Sequence, residues 1–301
     1  MFKRLMQLIA GTTLSAGLTT IASDASADAM VWKVSNKDGE LYLGGTIHML
    51  RATDYPLKPE YDIAFKDSDV VVFETDIEAA MDMGFQQKMM MRMSLAPGKT
   101  LKDVLQPATY QRLESFATSR NLPMMMLQSF KPSLAVLTLT QLELQRFGIT
   151  STSGLETYYS GLARQHNKPV LSLETPDEQI DVLASMGDGY EDEFVNGSLD
   201  DLNNLEKDFG ELIKAWKDAD IATIDEKMTQ MMKERFPQMY DALLVKRNFN
   251  WLNDIGQMIK TPEKEFVLVG AAHLVGTDSV QALLKAQGYT IEQVKVPSGR
   301  S

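Results

Sequence analysis

The apolar positions of this chain fall into short strand-like runs near both ends and into helical spacing between them. Val31 to Ser35 and Leu41 to Gly45 read as two strands joined by the turn Asn36-Lys37-Asp38-Gly39, a hairpin signal. Pro56 to Lys66 predicts a short helix, and the run Asp69 to Thr75 (Asp-Val-Val-Val-Phe-Glu-Thr) a fully buried strand. Helical periodicity then covers Ile77 to Met93, Pro107 to Arg120 and Pro132 to Arg146, the last opened by proline and stopped by Gly148. Gly154 to Gln165 predicts a further helix, and Pro169 to Leu173 a short strand. Thr175, with Glu178 three residues later, has the form of a capping box opening the next helix. From about Asp188 to Ile259 the pattern is helical and strongly charged. Glu265 to Gly270 reads as a strand, Ser279 to Gln287 as a helix and Tyr289 to Val296 as a closing strand, with a frayed end from Pro297.

Strands at both ends with helices between them predict an α/β (α+β) fold. Its central mixed sheet is built from N- and C-terminal segments, and a large α-helical insert spans about residues 77–260. No stretch rich in Pro, Gly or Ser divides the chain, so residues 28–301 are expected to form a single domain.

Composition changes this picture at the N-terminus. Lys3 and Arg4, the mainly apolar residues Leu5 to Ala22, and Ala25-Ser26-Ala27 have the order of a secretory signal peptide, with cleavage expected after Ala27. The mature protein is therefore expected in the periplasm or outside the cell, with no membrane anchor after cleavage. Removing Lys3, Arg4 and Asp24 leaves 28 basic against 40 acidic residues, a net charge of −12, which argues against nucleic acid as a partner. The chain holds no cysteine, which excludes disulfides, thiolate metal ligands and a cysteine nucleophile.

Candidate chemistry gathers around histidine. There are three in the chain, and two close similar phrases: Gly45-Thr46-Ile47-His48 after one strand, and Gly270-Ala271-Ala272-His273 after another. Glu74 ends the buried run Val70 to Phe73. Ligands collect outside the carboxyl ends of strands in α/β sheets, so His48, Glu74 and His273 are expected to share one site. Two imidazoles and a carboxylate suit a divalent transition metal that acidifies bound water. The same spacing equally suits a metal-free site with histidine as general base. His166, in Arg164-Gln165-His166-Asn167-Lys168, reads instead as a solvated residue at a helix C-terminus.

These phrases, with Val72-Phe73-Glu74-Thr75 between them, resemble the TraB/GumN (TIKI-like) family. Gly154-Leu155-Glu156, Lys168-Pro169-Val170, Leu173 to Gln179, Arg247-Asn248 before Trp251, and Gly270 to Gly276 followed by Gly288-Tyr289 extend the resemblance over the whole mature chain. TIKI members are metal-dependent proteases whose paired GxxH histidines and glutamate form the active site. The wider superfamily adds erythromycin esterases and ChaN-type haem-binding proteins. The resemblance implies His48, Glu74 and His273 as metal ligands for Mn, Co or Zn. It implies Glu156 as a further ligand or base, at a position where the family commonly has Asp. Arg247 and Asn248 are implied to orient substrate or stabilise an oxyanion, and Glu174 and Gln179 match the motif or cap a helix.

A metal-dependent hydrolase of peptide bonds is the leading expectation, acting on a peptide or small-molecule substrate. A binding protein for peptide, haem or metal and a metal-free esterase-like hydrolase are the alternatives. The methionines Met81, Met83, Met89, Met90, Met91 and Met93, followed by Met124 to Met126, suit flexible core and lid packing, an adaptable peptide groove or Cu(I).

Overall fold

A computed structural model of the protein describes residues 28–297. The signal peptide expected at residues 1–27 and the last four residues of the expected frayed end lie outside the described residues. The fold is mixed α/β, with one six-stranded sheet and many helices. The strands are β1 (Val31–Ser35), β2 (Glu40–Thr46), β3 (Val70–Phe73), β4 (Val170–Ser172), β5 (Glu265–Gly270) and β6 (Thr290–Gln293). Across the sheet they run β4-β3-β5-β2-β1-β6. The four strands from β4 to β2 are parallel, and the β1–β2 hairpin and β1–β6 pair are antiparallel.

Burial follows from this order. The inner strands β2, β3 and β5 are covered on both faces, and their near-continuous apolar runs are what a buried parallel strand requires. The edge strand β4 is exposed throughout. Tyr61, Tyr159, Trp216 and Trp251 pack into the sheet core. A second core, including Leu101, Leu113, Leu139, Phe194 and Val195, lies within the helical insert. Gly44 in β2 accommodates its neighbours: an added Cβ would come within 2.8 Å of both Leu268 and Phe266.

The insert is more broken than its periodicity predicts. The expected helix Ile77 to Met93 is two helices, Ile77–Met81 and Met83–Arg92, because Asp82 adopts an extended backbone and caps the second through Gly84 and Phe85. No residue of Met83–Arg92 is buried, so the methionines divide by position rather than packing together. Met93 is buried, whereas Met83, Met91, Met125 and Met126 are exposed. The expected helical stretch to Ile259 is interrupted at Pro237 and contains two π-helical turns, Asp225–Gln230 and Asp241–Val245. The second runs directly into the helix Lys246–Met258.

Phe266 is completely buried in the middle strand and meets Tyr159 edge-on, with ring centroids 5.6 Å apart. Phe266→Ala is expected to cost about 3–5 kcal/mol. Urea unfolding should show this as a lower midpoint at unchanged slope. A loss below about 1 kcal/mol would contradict close packing at the sheet centre.

Candidate functional site

Parallel pairing brings four strand ends together. Thr46 of β2 lies opposite Gly270 of β5, and Phe73 of β3 opposite Leu268. His48 follows β2 by two residues, Glu74 directly follows β3, and His273 lies in the 3-10 turn Ala271–Leu274 after β5. Glu174 follows β4, where its N–H donates to the Glu74 carbonyl at 2.9 Å. Two helices complete the constellation: Leu155–Gln165 supplies Glu156 in its first turn, and Lys246–Met258 supplies Arg247 and Asn248. His48, Glu74, Glu156 and Arg247 line one cleft of about 450 Å³, together with Thr75 and Gln179. A larger groove of about 680 Å³ beside β4 is lined by Asp76, Glu78, Arg164 and Lys168, and it contains none of these histidines.

The inner half of the site is organised by Arg247. Its Nε donates to Glu174 Oε2 at 2.9 Å, and its Nη2 donates to Glu174 Oε1 at 2.7 Å and to Glu74 Oε2 at 2.5 Å. Its Nη1 donates to the Leu243 carbonyl of the second π-turn and meets His273 Nε2, each at 3.1 Å. These bonds use all five guanidinium N–H groups. Glu74 Oε1 accepts the Gly270 N–H at 2.6 Å. Burial opposes ionisation of Glu74 most strongly, but Arg247, the two histidines and the Gly270 N–H together outweigh it and hold the carboxyl well below its usual range. Glu174 moves the other way, because burial exceeds the benefit of its bonds to the same guanidinium.

The tautomer of His273 follows from its partners. Asn248 Nδ2 donates to the Asp278 carbonyl at 2.8 Å, so its Oδ1 faces His273 Nδ1 at 2.6 Å as an acceptor. Nδ1 therefore carries the proton, and Nε2 accepts from Arg247. Burial pushes the His273 pKa down to about 3, so the ring is neutral at physiological pH. Trp251 packs 4.5 Å from that ring and 4.7 Å beneath the guanidinium.

The outer half is different. The His48 side chain is 63% exposed, and its Nδ1 lies 2.8 Å from Glu156 Oε1, which also accepts from the Thr46 hydroxyl. The Glu156 carboxylate raises the His48 pKa to about 9. Gly154 makes this pairing possible by letting the helix start lie directly against His48: a Cβ there would fall 2.1 Å from the His48 carbonyl oxygen. Leu155 N–H also donates to the Ile47 carbonyl at 3.3 Å.

The residues expected to hold a metal converge on Gly270: a Cβ there would lie 3.2 Å from Glu74 Oε1, 3.5 Å from His48 Nε2 and 3.6 Å from His273 Cδ2. As arranged they do not fit an ion. Among the described residues, no group of three His, Cys, Asp or Glu side chains is disposed to hold one. The physical reason is Arg247, whose guanidinium takes up His273 Nε2 and Glu74 Oε2. Arg247 borders the cleft but gives its N–H groups to Glu74, Glu174, Leu243 and His273, and Asn248 is buried between His273 and Asp278. Thr46, inside the first GxxH phrase, joins the site through Glu156, and Glu174 joins it through Arg247 rather than by capping the helix that follows. Thr175 and Glu178 do form the predicted capping box. His166 lies away from the cleft, against Phe65 with ring centroids 5.5 Å apart.

In the folded protein the protonated form of His48 is the one stabilised. This pairing therefore contributes fully to stability below the ordinary histidine value of 6.5 and is lost as pH rises through about 9. An NMR titration should place the His48 midpoint near 9 in the wild type and back toward 6.5 in Glu156→Gln. Equal midpoints would remove Glu156 as the cause. Gly154→Ala is expected to lower the same midpoint, because its methyl group displaces the His48 backbone.

The TraB/PrgY/gumN family matches residues 30–293, from just before β1 to the end of β6. The chain is 22% identical over 245 residues to the uncharacterized protein YbaP of Escherichia coli (strain K12), covering 81% of this chain and 87% of that protein. It is similar to the same extent to YbaP of Shigella flexneri. No solved structure matches. With every strand of the sheet and every residue of the cleft inside the matched span, the chain belongs to the TraB/PrgY/gumN family.

Proposed function

We propose that the protein is a hydrolase of peptide or ester bonds in which His48, held by Glu156, is the general base. The observation that carries this reading is the 2.8 Å contact between His48 and Glu156, with the imidazole exposed to a cleft of about 450 Å³. A carboxylate only accepts, so His48 donates Nδ1–H to it and turns Nε2 toward bound reactants. Ile77, Ala80, Val182, Leu183 and Leu243 provide apolar walls for the groups flanking a scissile carbonyl. In the proposed reaction His48 Nε2 takes a proton from water as the water oxygen attacks the carbonyl carbon. The C–N or C–O bond then breaks, and His48 returns the proton to the leaving nitrogen or oxygen. The products are a carboxylic acid and an amine or alcohol.

Metal-assisted hydrolysis, implied by the family resemblance, would need Arg247 to leave its present partners, so no step is routed through an ion. We also assign the mature protein to the periplasm or the exterior, on the N-terminal signal pattern alone.

Purified protein assayed with short peptides and activated esters should show chelator-resistant hydrolysis. His48→Gln should reduce it by about 10²–10⁴-fold. Since the base form grows with pH, kcat/KM should rise toward about 9 in the wild type, and this limb should move down in Glu156→Gln. Turnover unaffected by His48→Gln would sink the proposal. Activity abolished by chelator and restored by Mn, Co or Zn would favour the metal-dependent reading instead.

A further inference from the structure

The two edges of the sheet are unlike. β6 closes one side with Thr290, Ile291, Glu292 and Gln293, while β4 closes the other with Val170 and Leu171, 44% and 49% exposed. Edge strands ordinarily carry charge, proline or a covering element that stops another chain from pairing with them. We propose that the outer edge of β4 is a docking site for a polypeptide segment in extended conformation, which continues into the cleft of His48 and Glu156. Delivery into the cleft rests on the hydrolase reading above, whereas the docking itself does not.

Three features support this assignment. The first is the direction of the backbone groups. Val71 N–H donates to the Pro169 carbonyl and Leu173 N–H to the Phe73 carbonyl, each at 3.0 Å, so residues 169, 171 and 173 bond inward to β3. The residues between them turn the opposite way, and the N–H and C=O of Val170 and Ser172 point outward. Among the described residues neither has a hydrogen-bond partner on that side. Pro169 does not blunt this edge, because its missing N–H belongs to the β3 side. Lys168 is drawn back to the Ser68 carbonyl and the Phe65 ring. The second feature is the groove of about 680 Å³, lined by all three β4 residues with Ile77, Arg164 and Met258. An extended peptide offers N–H and C=O at the spacing of the strand edge, and its apolar side chains would meet Val170, Leu171 and Met258. A small ester presents no such repeat. The third is continuity. Ile77 lines both the groove and the cleft. Pairing of β4 with β3 also continues past Ser172 to Glu174 N–H on the Glu74 carbonyl, so the edge leads to the strand ends that form the site.

The probes are fluorescent peptides of about six residues, long enough to span β4, with valine and threonine alternating and a terminal lysine for solubility. Binding is followed by fluorescence anisotropy on His48→Gln protein, which leaves the peptide intact. Backbone N-methylation then deletes one peptide N–H at a time. At every second residue it should weaken binding about 3–10-fold, the loss of one hydrogen bond, and at the intervening residues it should not. Ser172→Pro removes an outward N–H and should weaken binding about tenfold or more, while Ser172→Ala should bind like its parent. If Ser172→Pro fails to fold, the methylation series on the unaltered edge decides alone. Extending the peptide at one terminus should also shift the methyl resonances of Leu183 and Leu243, which line the cleft. No shift from either extension overturns the entry into the cleft.

Three outcomes overturn the docking. One is the absence of saturable binding by any of these peptides. Another is binding that ignores both the phase of N-methylation and Ser172→Pro, which would put the peptide elsewhere. The third is a concentration-dependent dimer that Ser172→Pro abolishes and the peptides do not compete, since β4 would then pair with a second copy. Docking is read by binding rather than turnover, so its failure is separable from a failure of the cleft to hydrolyse anything.

Discussion

A single buried guanidinium carries the geometry of this site. Arg247 connects the ends of β3, β4 and β5 through Glu74, Glu174 and the turn containing His273. It also reaches back to Leu243 in the π-turn before its own helix. Taking these charges out of water is costly, and Coulomb attraction repays that only with good geometry and complete hydrogen bonding. Both conditions hold, since each guanidinium N–H has an acceptor. Once such a cluster is formed, removing one partner costs about 3–5 kcal/mol, because the remaining charges are stranded. The cluster is thus weak evidence of extra stability and strong evidence of a fixed arrangement: the strand ends cannot shift independently while it stands.

That rigidity separates two histidines which the sequence presents as a matched pair. Both follow a strand and a GxxH phrase, but His273 is buried against a cation and has its pKa pushed down to about 3. His48 is exposed beside a carboxylate and has its pKa raised to about 9. Opposite shifts on like groups are how a site divides roles between them. His273 remains a neutral acceptor, built into the wall by Asn248 and Trp251. His48 is the histidine whose ring opens onto the cleft.

The sheet was largely legible because buried parallel strands leave unbroken apolar runs: Val70 to Phe73 and Phe266 to Val269 could be little else. The helical middle was less so. Periodicity runs through Asp82 and Pro237 without registering that Asp82 caps a new helix or that proline restarts one. Nor does it distinguish a π-turn from an α-turn. In the site, spacing identified His48, Glu74 and His273 as neighbours, because parallel strand ends must converge. What spacing could not convey was which cation stands among them. Arg247 is about 170 residues from Glu74, 173 by position, and its approach depends on the insert folding back over the sheet. A pattern of histidines and carboxylates invites a metal, and only the three-dimensional arrangement reveals that an arginine has taken up the same donors.

Placing one guanidinium between two carboxylates has a general consequence for how the fold holds its site together. Glu74 and Glu174 are joined through the backbone of β3 and β4, with Glu174 N–H on the Glu74 carbonyl, so their approach is imposed by the sheet rather than by mutual preference. Two carboxylates forced together in a buried place always need neutralising, and the available means are a proton, a metal ion or a basic side chain. A proton leaves the pair dependent on pH, and an ion leaves it dependent on supply. Arginine, which stays charged throughout the physiological range and presents a fixed fork, removes both dependences. The inner wall is then complete without a bound ion, and the histidine left open to the cleft is His48, paired with Glu156.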